Sequence, residues 1–539
     1  MSASRAFRLI TAATVVVVPL LHQPAAQALA APAGRAEAVA AGAPARALTP
    51  GTSSRAMPSR AASSRAASSR AASSRAASSR AVPSRAVSSR ALGAACGAGA
   101  DLAVAAPYDT VDGQGRAGTV TLFRGAKKTA VLSQGAHGIP GGPERGDSFG
   151  SAMVSGDFDG DGCPDLAIGV SEEFAGTPVP DGADGNGVVH VLYGTSGGPR
   201  PAVTLDVTRL GRPRDTDRFG AALAAGDLDG DGDDELVVGI PGLSEGGGVG
   251  VFGLKGRGPK AKGALVTQAT SWVAQEHIEG DQFGAAVAVG DFDGDGRAEL
   301  AVGAPGDTVG PATSGGGSVT VVDLRARQAG LYTQNSPGVP GEAEKWDYFG
   351  GALAAGDFDR DGRDDLAVGV PGEGLDVFQD GPMYGNGGVH VLHGTRRGLT
   401  AIGGEFWSRK TKGIRGESLN TDRLGSALAA GDLNGDGDAE LAIGLPGGNR
   451  VLVLPGTRTG GLTAKHAVIV KGRTGRPGDL YGSSVAITAS GLAVGSPGAG
   501  RVTLIPSAAR KGSYTGLRTG SARSLTGGRT GLFGYTVAP

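Results

Sequence analysis

A nine-residue acidic segment occurs five times in the chain, and this repeat limits the fold more than any other sequence feature. The first copy is Asp157–Asp165, with the sequence Asp-Phe-Asp-Gly-Asp-Gly-Cys-Pro-Asp, and the others begin at Asp227, Asp291, Asp357 and Asp432. Oxygen-bearing side chains stand at positions 1, 3, 5 and 9, and glycine stands at position 6. Each copy lies between two short apolar runs, which indicates a tight turn between two β-strands. We number these segments loops one to five in chain order.

The loops are candidate cation sites, because side chains two positions apart in a tight turn can converge on one point. Oxygen ligands without His or Cys suit a hard cation, and calcium accepts about six to eight of them. Polar turns that hold no metal are the alternative, but they would not need an acid at position 9 of every copy. We therefore predict about five structural calcium sites, with the ligands Asp157, Asp159, Asp161, Asp165, Asp227, Asp229, Asp231, Glu235, Asp291, Asp293, Asp295, Glu299, Asp357, Asp359, Asp361, Asp365, Asp432, Asn434, Asp436 and Glu440.

A second motif, a Phe-Gly-like pair, occurs seven times and marks the start of a repeating unit. Most pairs are followed by a small apolar run, an acidic loop, an apolar run ending in a Gly-x-Pro turn, and an alternating strand. This order predicts four short antiparallel strands over about 50–75 residues, a length typical of a propeller blade or a solenoid coil. The pairs are Phe149-Gly150, Phe219-Gly220, Phe283-Gly284, Phe349-Gly350, Leu424-Gly425, Tyr481-Gly482 and Phe533-Gly534.

The two ends of the repeat region are fragments of a single unit. Residues 101–125 form a unit without its first strand, and residues 532–539 form a first strand without its unit. An open array would expose the sheet edges of both fragments, whereas pairing them closes a ring. We therefore predict an all-β, seven-bladed β-propeller of four-stranded antiparallel blades, closed by pairing of the C-terminal strand with the N-terminal blade.

These motifs resemble the FG-GAP repeats of the integrin α-chain N-terminal β-propeller and its bacterial secreted relatives, over about residues 96–539. In that family the acidic loops bind calcium at the lower face of the propeller and partners bind at the upper face. The resemblance implies both properties for this chain. Two loops depart from the pattern, with Arg360 at position 4 of loop four and Asn434 at position 3 of loop five. We expect loop five to bind calcium more weakly, and the unit at Tyr481, with a Thr488–Gly491 hairpin, to bind none.

The N-terminal region predicts export followed by a flexible tether. Arg5 and Arg8 precede an apolar stretch and a small-residue cleavage site, so residues 1–30 match a signal peptide, and we see no later stretch long enough to span a membrane. Residues 31–94 consist mainly of Ala, Ser and Arg, which indicates disorder, and the propeller is predicted over 95–539. We expect a secreted protein, extracellular or associated with the cell surface.

Charge is divided unevenly, with twelve Arg and one acid before residue 100. The basic tail could contact an anionic cell wall, or it could be a spacer produced by repeat expansion. Nucleic acid is disfavoured because the tail lacks interleaved aromatic residues and the folded body is acidic. The two cysteines, Cys96 and Cys163, could form a disulfide in an oxidising compartment.

Other conspicuous residues have structural explanations. Arg145-Gly146-Asp147 spells an adhesive tripeptide, but Asp147 occupies a slot two residues before a Phe-Gly pair where Asp recurs, which predicts a turn-stabilising role. The histidines on alternating strands, His190, His390 and His393, are interpreted as sheet residues. The tryptophans are interpreted as packing residues, with a carbohydrate platform as the alternative: Trp272, Trp346 and Trp407.

No nucleophile, acid–base pair or phosphate-binding loop is required to explain any strong motif, so no catalytic residue is predicted. The leading functional hypothesis is a non-catalytic binding or adhesion module for an extracellular protein or glycan. The alternatives are a secreted hydrolase or lyase with its site at the propeller centre, and a cell-wall-associated structural protein.

Overall fold

The computed structural model describes residues 101–539, together with the short strand Thr14–Val15, and it leaves out several internal segments. The internal segments outside the description are 175–184, 195–199, 256–261, 311–314, 375–384, 420, 474, 477, 508–516 and 528–530. The predicted signal peptide and tether, apart from Thr14–Val15, also lie outside the described residues, as does Cys96.

The described part of the chain is built of β-strands, and its helical structure is limited to three short 3-10 turns. The turns are Val207–Leu210, Pro497–Ala499 and Thr519–Ser521. The strands are β1 (Thr14–Val15), β2 (Leu102–Ala106), β3 (Thr119–Arg124), β4 (Lys127–Leu132), β5 (Met153–Gly156), β6 (Asp165–Val170), β7 (Val188–Tyr193), β8 (Arg200–Leu205), β9 (Ala222–Gly226), β10 (Glu235–Ile240), β11 (Gly248–Phe252), β12 (Ala264–Val266), β13 (Ala286–Gly290), β14 (Glu299–Ala304), β15 (Ser318–Asp323), β16 (Gln328–Tyr332), β17 (Ala352–Gly356), β18 (Asp365–Val370), β19 (Gly388–Thr395), β20 (Gly398–Trp407), β21 (Leu428–Gly431), β22 (Glu440–Leu445), β23 (Arg450–Leu454), β24 (Val468–Lys471), β25 (Val485–Thr488), β26 (Gly491–Ser496), β27 (Arg501–Pro506), β28 (Arg523–Thr526) and β29 (Val537–Ala538).

These strands form seven antiparallel sheets that follow one another around a ring. Blades one to six contain β5–β8, β9–β12, β13–β16, β17–β20, β21–β24 and β25–β28, each in sequence order. Blade seven has the order β29-β2-β3-β4, and β1 adds a fifth strand beside β21 of blade five. The first strands of successive blades contact one another, so they line the inside of the ring.

The ring is closed where the end of the chain joins its described N-terminal blade. Strand β29 pairs with β2 in antiparallel register, with Val537 opposite Val104 and Ala538 opposite Ala103. The N–H of Ala105 donates to the carbonyl of Thr536 at 3.0 Å, and both Thr536 and Val537 are fully buried. The predicted seven-bladed ring and its closure by the C-terminal strand are therefore confirmed.

The Phe-Gly pairs hold neighbouring blades together at the end of the ring opposite the acidic loops. The four pair phenylalanines that precede acidic loops one to four, Phe149 among them, are fully buried between blades. In blade two, Gly220 has φ +88°, and a Cβ on Gly169 of blade one would lie 2.2 Å from the carbonyl oxygen of Gly220. Glycine is therefore required on both sides of this contact, which explains the sequence pair.

Hydrophobic core residues lie between adjacent blades, so each blade is stabilised by its neighbours. One cluster joins Phe158 of blade one to Phe219, Leu236 and Phe252 of blade two. The position 2 side chains of the five acidic loops are all buried in such clusters, which anchors each loop to the ring. They are Phe158, Leu228, Phe292, Phe358 and Leu433.

Two further observations concern the cysteines and the length of the helices. Cys163 is disulfide-bonded, and the other cysteine of the chain, Cys96, lies outside the described residues. Within the described residues, no helix has the length and apolar character needed to cross a membrane.

Candidate metal centres

Each acidic loop connects the first and second strands of a blade in the same register. The residue before position 1 pairs with position 9, as Gly226 does with Glu235 in blade two. The same pairing occurs in the other four blades that carry a loop. Position 1 therefore follows the first strand directly and position 9 begins the second strand, so strand pairing brings the two ends of every loop together.

Side-chain carboxylates hold the backbone of each loop in one shape. The position 1 carboxylate accepts the N–H of the position 6 glycine at 2.9–3.1 Å in all five loops. The position 3 side chain accepts the N–H of position 5, and the position 5 side chain accepts the N–H of position 7. These local bonds turn the side chains at positions 1, 3 and 5 towards the interior of the loop.

The position 9 carboxylate closes the loop from the opposite side. It accepts the N–H of position 2 at 2.8–3.2 Å in every copy. In loops one and four, where position 9 is Asp, its second oxygen accepts a further N–H, from Gly194 just after the third strand or from Gly394 near the end of the third strand. All five position 9 residues are buried, which fixes one ligand group at the base of each loop.

In four loops the structure brings at least three carboxylates close enough to share one ion. One oxygen from each member lies within 4.8 Å of the others. The groups are Asp157, Asp159 and Asp165; Asp227, Asp229 and Glu235; Asp231, Asp233 and Glu235; Asp291, Asp293 and Asp295; and Asp357, Asp359 and Asp361. Asp161, Glu299 and Asp365 lie in these same loops but outside the tight groups.

Loop five is arranged differently, and no group of three acids this compact occurs there among the described residues. The amide nitrogen of Asn434 donates to Glu440 Oε1 at 2.8 Å, so the amide occupies a carboxylate oxygen that faces the loop interior. Asp432 and Asp436 remain at positions 1 and 5. The substitution of Asn at position 3 thus changes the hydrogen bonding of the loop, besides removing a charge.

Acids at position 7 were missed by the sequence analysis. Asp233 lies in a cluster with Asp231 and Glu235, and Lys255 Nζ contacts Asp233 Oδ1 at 2.6 Å. Asp438 occupies the same position in loop five. Both acids are visible in the sequence, but a ligand pattern of positions 1, 3, 5 and 9 leaves them out.

Burial makes four of the position 9 carboxyls bind protons more tightly than usual. It raises the pKa of Asp165 and Glu235 to about 7, of Glu299 to about 8 and of Glu440 to about 9. Neighbouring loop carboxylates raise these pKa values further, whereas backbone N–H donors lower them. A cation in the loop would supply the missing positive charge and allow these groups to ionise.

The chemistry of the loops fits a calcium ion. The donors at the predicted positions are all oxygens, and the carboxylate Oδ1 of Asp157 is buried without a hydrogen-bond partner inside loop one. A buried oxygen of this kind is costly unless it binds a proton or a cation. The predicted ligands of loops one to four therefore suit a hard divalent cation.

The adhesive tripeptide has the structural role predicted for it. Asp147 is 2% exposed, and its Oδ2 accepts the N–H of Glu144 at 2.5 Å. Equivalent aspartates make the same kind of turn bond in the other five units where Asp recurs, from Asp217 to Asp479. Because its carboxylate is buried in a turn, Asp147 does not present an accessible recognition motif.

The histidines divide into two kinds. His190 and His390 are buried within blades, where burial lowers the pKa of each to about 4, as expected for sheet residues. His393 is different, because its Nδ1 lies 3.4 Å from Asp365 Oδ1 of loop four and its Nε2 lies 3.7 Å from Glu405 Oε1. The proximity of Asp365 raises the pKa of His393. Sequence reasoning had no means to place this histidine beside a loop.

A shallow cleft of about 400 Å³ lies beside loop four, lined in part by Asp359, His393, Glu405 and Trp407. Trp407 is 8% exposed, and its indole Nε1 donates to Glu405 Oε2 at 2.5 Å. Trp407 belongs to a core cluster, and Trp272 packs against another, which confirms their predicted packing role. Trp346 is half-buried, with Lys345 Nζ 4.1 Å from its ring centre.

Comparison with known proteins agrees with this geometry. The FG-GAP repeat model matches five segments, and each contains one acidic loop: residues 149–192, 219–252, 283–322, 349–392 and 424–464. The chain is an FG-GAP repeat protein. The FG-GAP segments cover the first three strands of blades one to five, whereas blades six and seven, which lack acidic loops, are outside the matches.

The FG-GAP region is similar in sequence to integrin α chains. Integrin alpha pat-2 of Caenorhabditis briggsae is 30% identical over 268 residues, which is 44% of this chain and 19% of that protein. Phosphatidylinositol-glycan-specific phospholipase D of Rattus norvegicus is 34% identical over 157 residues, or 28% of this chain and 17% of that protein. The chain therefore spans about a fifth of the length of these relatives.

Among solved structures, the periplasmic gluconolactonase PpgL of Pseudomonas aeruginosa matches with a TM-score of 0.42 and 14% identity, over 79% of this chain and 96% of that one. A rhamnogalacturonan lyase of Bacillus licheniformis matches with a TM-score of 0.31 and 17% identity, over 64% of this chain and 65% of that one. At these scores neither similarity bears on function.

Proposed function

We propose that this FG-GAP protein is a secreted, calcium-stabilised propeller that acts as a non-catalytic binding or adhesion module. The observation that carries the proposal is the convergence of three carboxylates, within 4.8 Å, in four loops of the ring. The FG-GAP match and the similarity to integrin α chains support the same function.

Calcium fits these loops better than magnesium. Magnesium needs near-ideal octahedral geometry and keeps several waters, whereas calcium accepts six to eight oxygens in a flexible arrangement, about as many as a loop of this kind provides. The side chains at positions 1, 3, 5 and 9 would hold the ion in each loop. The ion would neutralise the clustered carboxylates and fix the hairpin between the first two strands of the blade.

Secretion is supported by the disulfide at Cys163, because disulfides are typical of oxidising compartments. Extracellular calcium is abundant enough to fill sites with dissociation constants of about 10⁻⁴–10⁻³ M. The predicted signal peptide over residues 1–30 gives the route of export. A contact between the Arg-rich tail and an anionic cell wall remains a further proposal.

The face opposite the acidic loops is the proposed binding face. The described ends of long connections between second and third strands lie there, at residues 171–174 and 185–187, 305–310 and 315–317, and 371–374 and 385–387. Loops on a rigid scaffold are where binding residues concentrate. Two large apolar side chains on this face are exposed, Ile278 by 59% and Leu419 by 42%, and they are the residues chosen to test it.

Calcium binding is tested by titration of the chelator-treated protein. Isothermal titration calorimetry should give four or five calcium ions per chain, with loop five the weakest, and magnesium should not compete at equal concentration. A stoichiometry of zero would remove the basis of the proposal. An intermediate value would be assigned to individual loops by Asp→Asn substitution at position 3 of loops one to four in turn, and by Asp432→Asn in loop five.

The binding face is tested by a survey of extracellular proteins and glycans in millimolar calcium. For any partner found, a double variant Ile278→Ser and Leu419→Ser should weaken binding about 10-fold or more, because exposed apolar residues at an interface are among its main contacts. The matched control is Ile402→Ser, which removes an 80% exposed apolar residue from the outer strand β20. An equal loss in the control, or a survey with no partner, would contradict the proposal.

A further inference from the structure

The five acidic loops are hydrogen-bonded to one another around the ring. In each of loops two to five, the backbone N–H of position 8 donates to the carbonyl of position 1 in the preceding loop, at 2.8–2.9 Å. The donors are Asp234, Ala298, Asp364 and Ala439, and the acceptors are Asp157, Asp227, Asp291 and Asp357. Position 8 of loop one is Pro164, which has no N–H, and no acidic loop precedes it in the ring.

Two of these four links have a second hydrogen bond, and two do not. Asp234 Oδ2 accepts the N–H of Asp157 at 2.9 Å, and Asp364 Oδ2 accepts the N–H of Asp291 at 3.0 Å. In these links position 8 holds both the N–H and the C=O of a position 1 residue. Ala298 and Ala439 have no side-chain acceptor, so the links from loop three to loop two and from loop five to loop four lack this second bond.

The residue held by each link is a proposed calcium ligand of the preceding loop. Position 1 supplies a carboxylate to its own loop and its backbone to the neighbouring loop. Asp364 directly precedes Asp365, the proposed ligand at the start of β18. An ion that orders loop four therefore also orders the Asp364 side chain, which holds Asp291 of loop three. A partner that orients a ligand in this way typically changes metal affinity by about 10- to 100-fold.

We propose that Asp234 and Asp364 are positioning residues that couple calcium binding between neighbouring loops. The coupling divides the FG-GAP sites into two pairs, loops one and two and loops three and four, with loop five outside both pairs. An ion in one loop of a pair reduces the ordering that the other loop must undergo on binding, so affinity rises in both. This inference rests on the proposed calcium function.

Packing between the loops agrees with a mechanical link. A Cβ on Gly294 of loop three would lie 2.8 Å from the Cγ atom of Arg363 in loop four. A Cβ on Gly230 of loop two would similarly lie 2.7 Å from Arg297 Nε. Loop three is therefore in contact with both loop four and loop two. The two links differ in the carboxylate at position 8, which is present in Asp364 and absent from Ala298.

Loop three permits a test with an internal control, because it has one neighbour across an Asp link and one across an Ala link. The variant Asp293→Asn weakens calcium binding in loop three. Hydrogen–deuterium exchange with mass spectrometry, measured through a calcium titration of the full chain, gives a midpoint for each loop peptide separately. We expect the midpoint of loop four to rise about 5-fold or more and that of loop two to change less than 2-fold.

Substitutions at position 8 complete the test. Asp364→Ala should remove the effect of Asp293→Asn on loop four, whereas Asp364→Asn, which keeps an oxygen acceptor, should retain it. An Asn variant that behaves like Ala would indicate a charge effect and would overturn the positioning role. Ala298→Asp should create the missing coupling between loops two and three.

The possible failures are distinguishable. If every loop shows a calcium midpoint but loops two and four respond equally to Asp293→Asn, or neither responds, the coupling is wrong and calcium binding stands. If no loop gains protection from calcium, both proposals fail. Exchange at the Asp291 amide in calcium-free protein should accelerate in Asp364→Ala, and unchanged exchange there would overturn the link itself.

Discussion

Calcium should stabilise this propeller more strongly at pH 8 than at pH 6. Burial raises the pKa of four position 9 carboxyls, from about 7 for Asp165 and Glu235 to about 9 for Glu440. Without calcium, the folded chain therefore binds more protons than the unfolded chain between about pH 4 and pH 9. Its stability should fall as pH rises through that window. Calcium displaces these protons, so the calcium-bound protein should lack this dependence.

The magnitude follows from proton competition at each loop. A site with a dissociation constant of about 10⁻⁴ M gains about 2.7 kcal/mol from roughly 10 mM calcium when its carboxyl is ionised. A proton with a pKa of about 9 on Glu440 weakens the apparent affinity about 10-fold at pH 8 and about 1000-fold at pH 6. Over the four loops with raised position 9 pKa values, calcium should contribute about 6 kcal/mol less at pH 6. For roughly 440 folded residues this corresponds to about 6 °C in melting temperature.

Differential scanning calorimetry of one preparation in calcium and in chelator, at both pH values and equal ionic strength, measures this difference. The control is magnesium at the same concentration, which should raise the melting temperature much less. A calcium-induced increase in melting temperature that is equal at both pH values, or larger at pH 6, would contradict this prediction. A chelated protein that melts at a higher temperature at pH 8 than at pH 6 would contradict it as well.

Three further outcomes are expected. Deletion of residues 532–539 removes the closing strand and a buried Phe, a loss of about 5–10 kcal/mol that approaches the whole stability of a domain, so circular dichroism should show an unfolded or aggregated chain. Asn434→Asp replaces an amide donor beside Glu440 with a carboxylate, so the chelated protein should melt at a lower temperature and calcium affinity in loop five should rise about 10-fold. Asp147→Ala should lower the free energy of unfolding by about 1–3 kcal/mol, because the N–H of Glu144 loses its acceptor, without changing cell attachment.

The ring itself could be predicted from the sequence because the number of repeating units can be counted along the chain. The sequence contains seven Phe-Gly starts and two complementary fragments of one unit. A closed ring leaves neither fragment with an exposed sheet edge, and β29 does pair with β2. The loops were predictable for a related reason, since ligands and turn residues of one loop lie within nine residues of each other. The spacing of these residues along the chain is therefore sufficient to predict a loop, because strand pairing adds only the approach of its two ends.

Contacts of an acidic loop with a third strand or with a neighbouring blade were not predictable in the same way. His393 reaches Asp365 from the third strand, and Asp364 reaches Asp291 from the next blade, about 70 residues along the chain. Such pairs have no fixed separation in sequence, because the variable connections between second and third strands differ in length from blade to blade. Position 8 also looked uninformative, since its residues are Pro, Asp, Ala, Asp and Ala. The role of position 8 is visible only in the structure, where it is hydrogen-bonded to position 1 of the preceding loop.

Two kinds of contact stabilise the ring, and they lie in different blades. Blades one to five carry the acidic loops, whereas the hairpin of blade six is closed by Thr488, whose hydroxyl donates to the carbonyl of Gly491 at 3.0 Å. In blade seven the closing segment bonds to both neighbours, through Ser484 of blade six and Ser155 of blade one. Chelation should therefore loosen the loop edges of five consecutive blades and leave the closure intact. Hydrogen exchange in chelator should rise at the loops before it rises at β29, and early exchange at β29 would contradict this division.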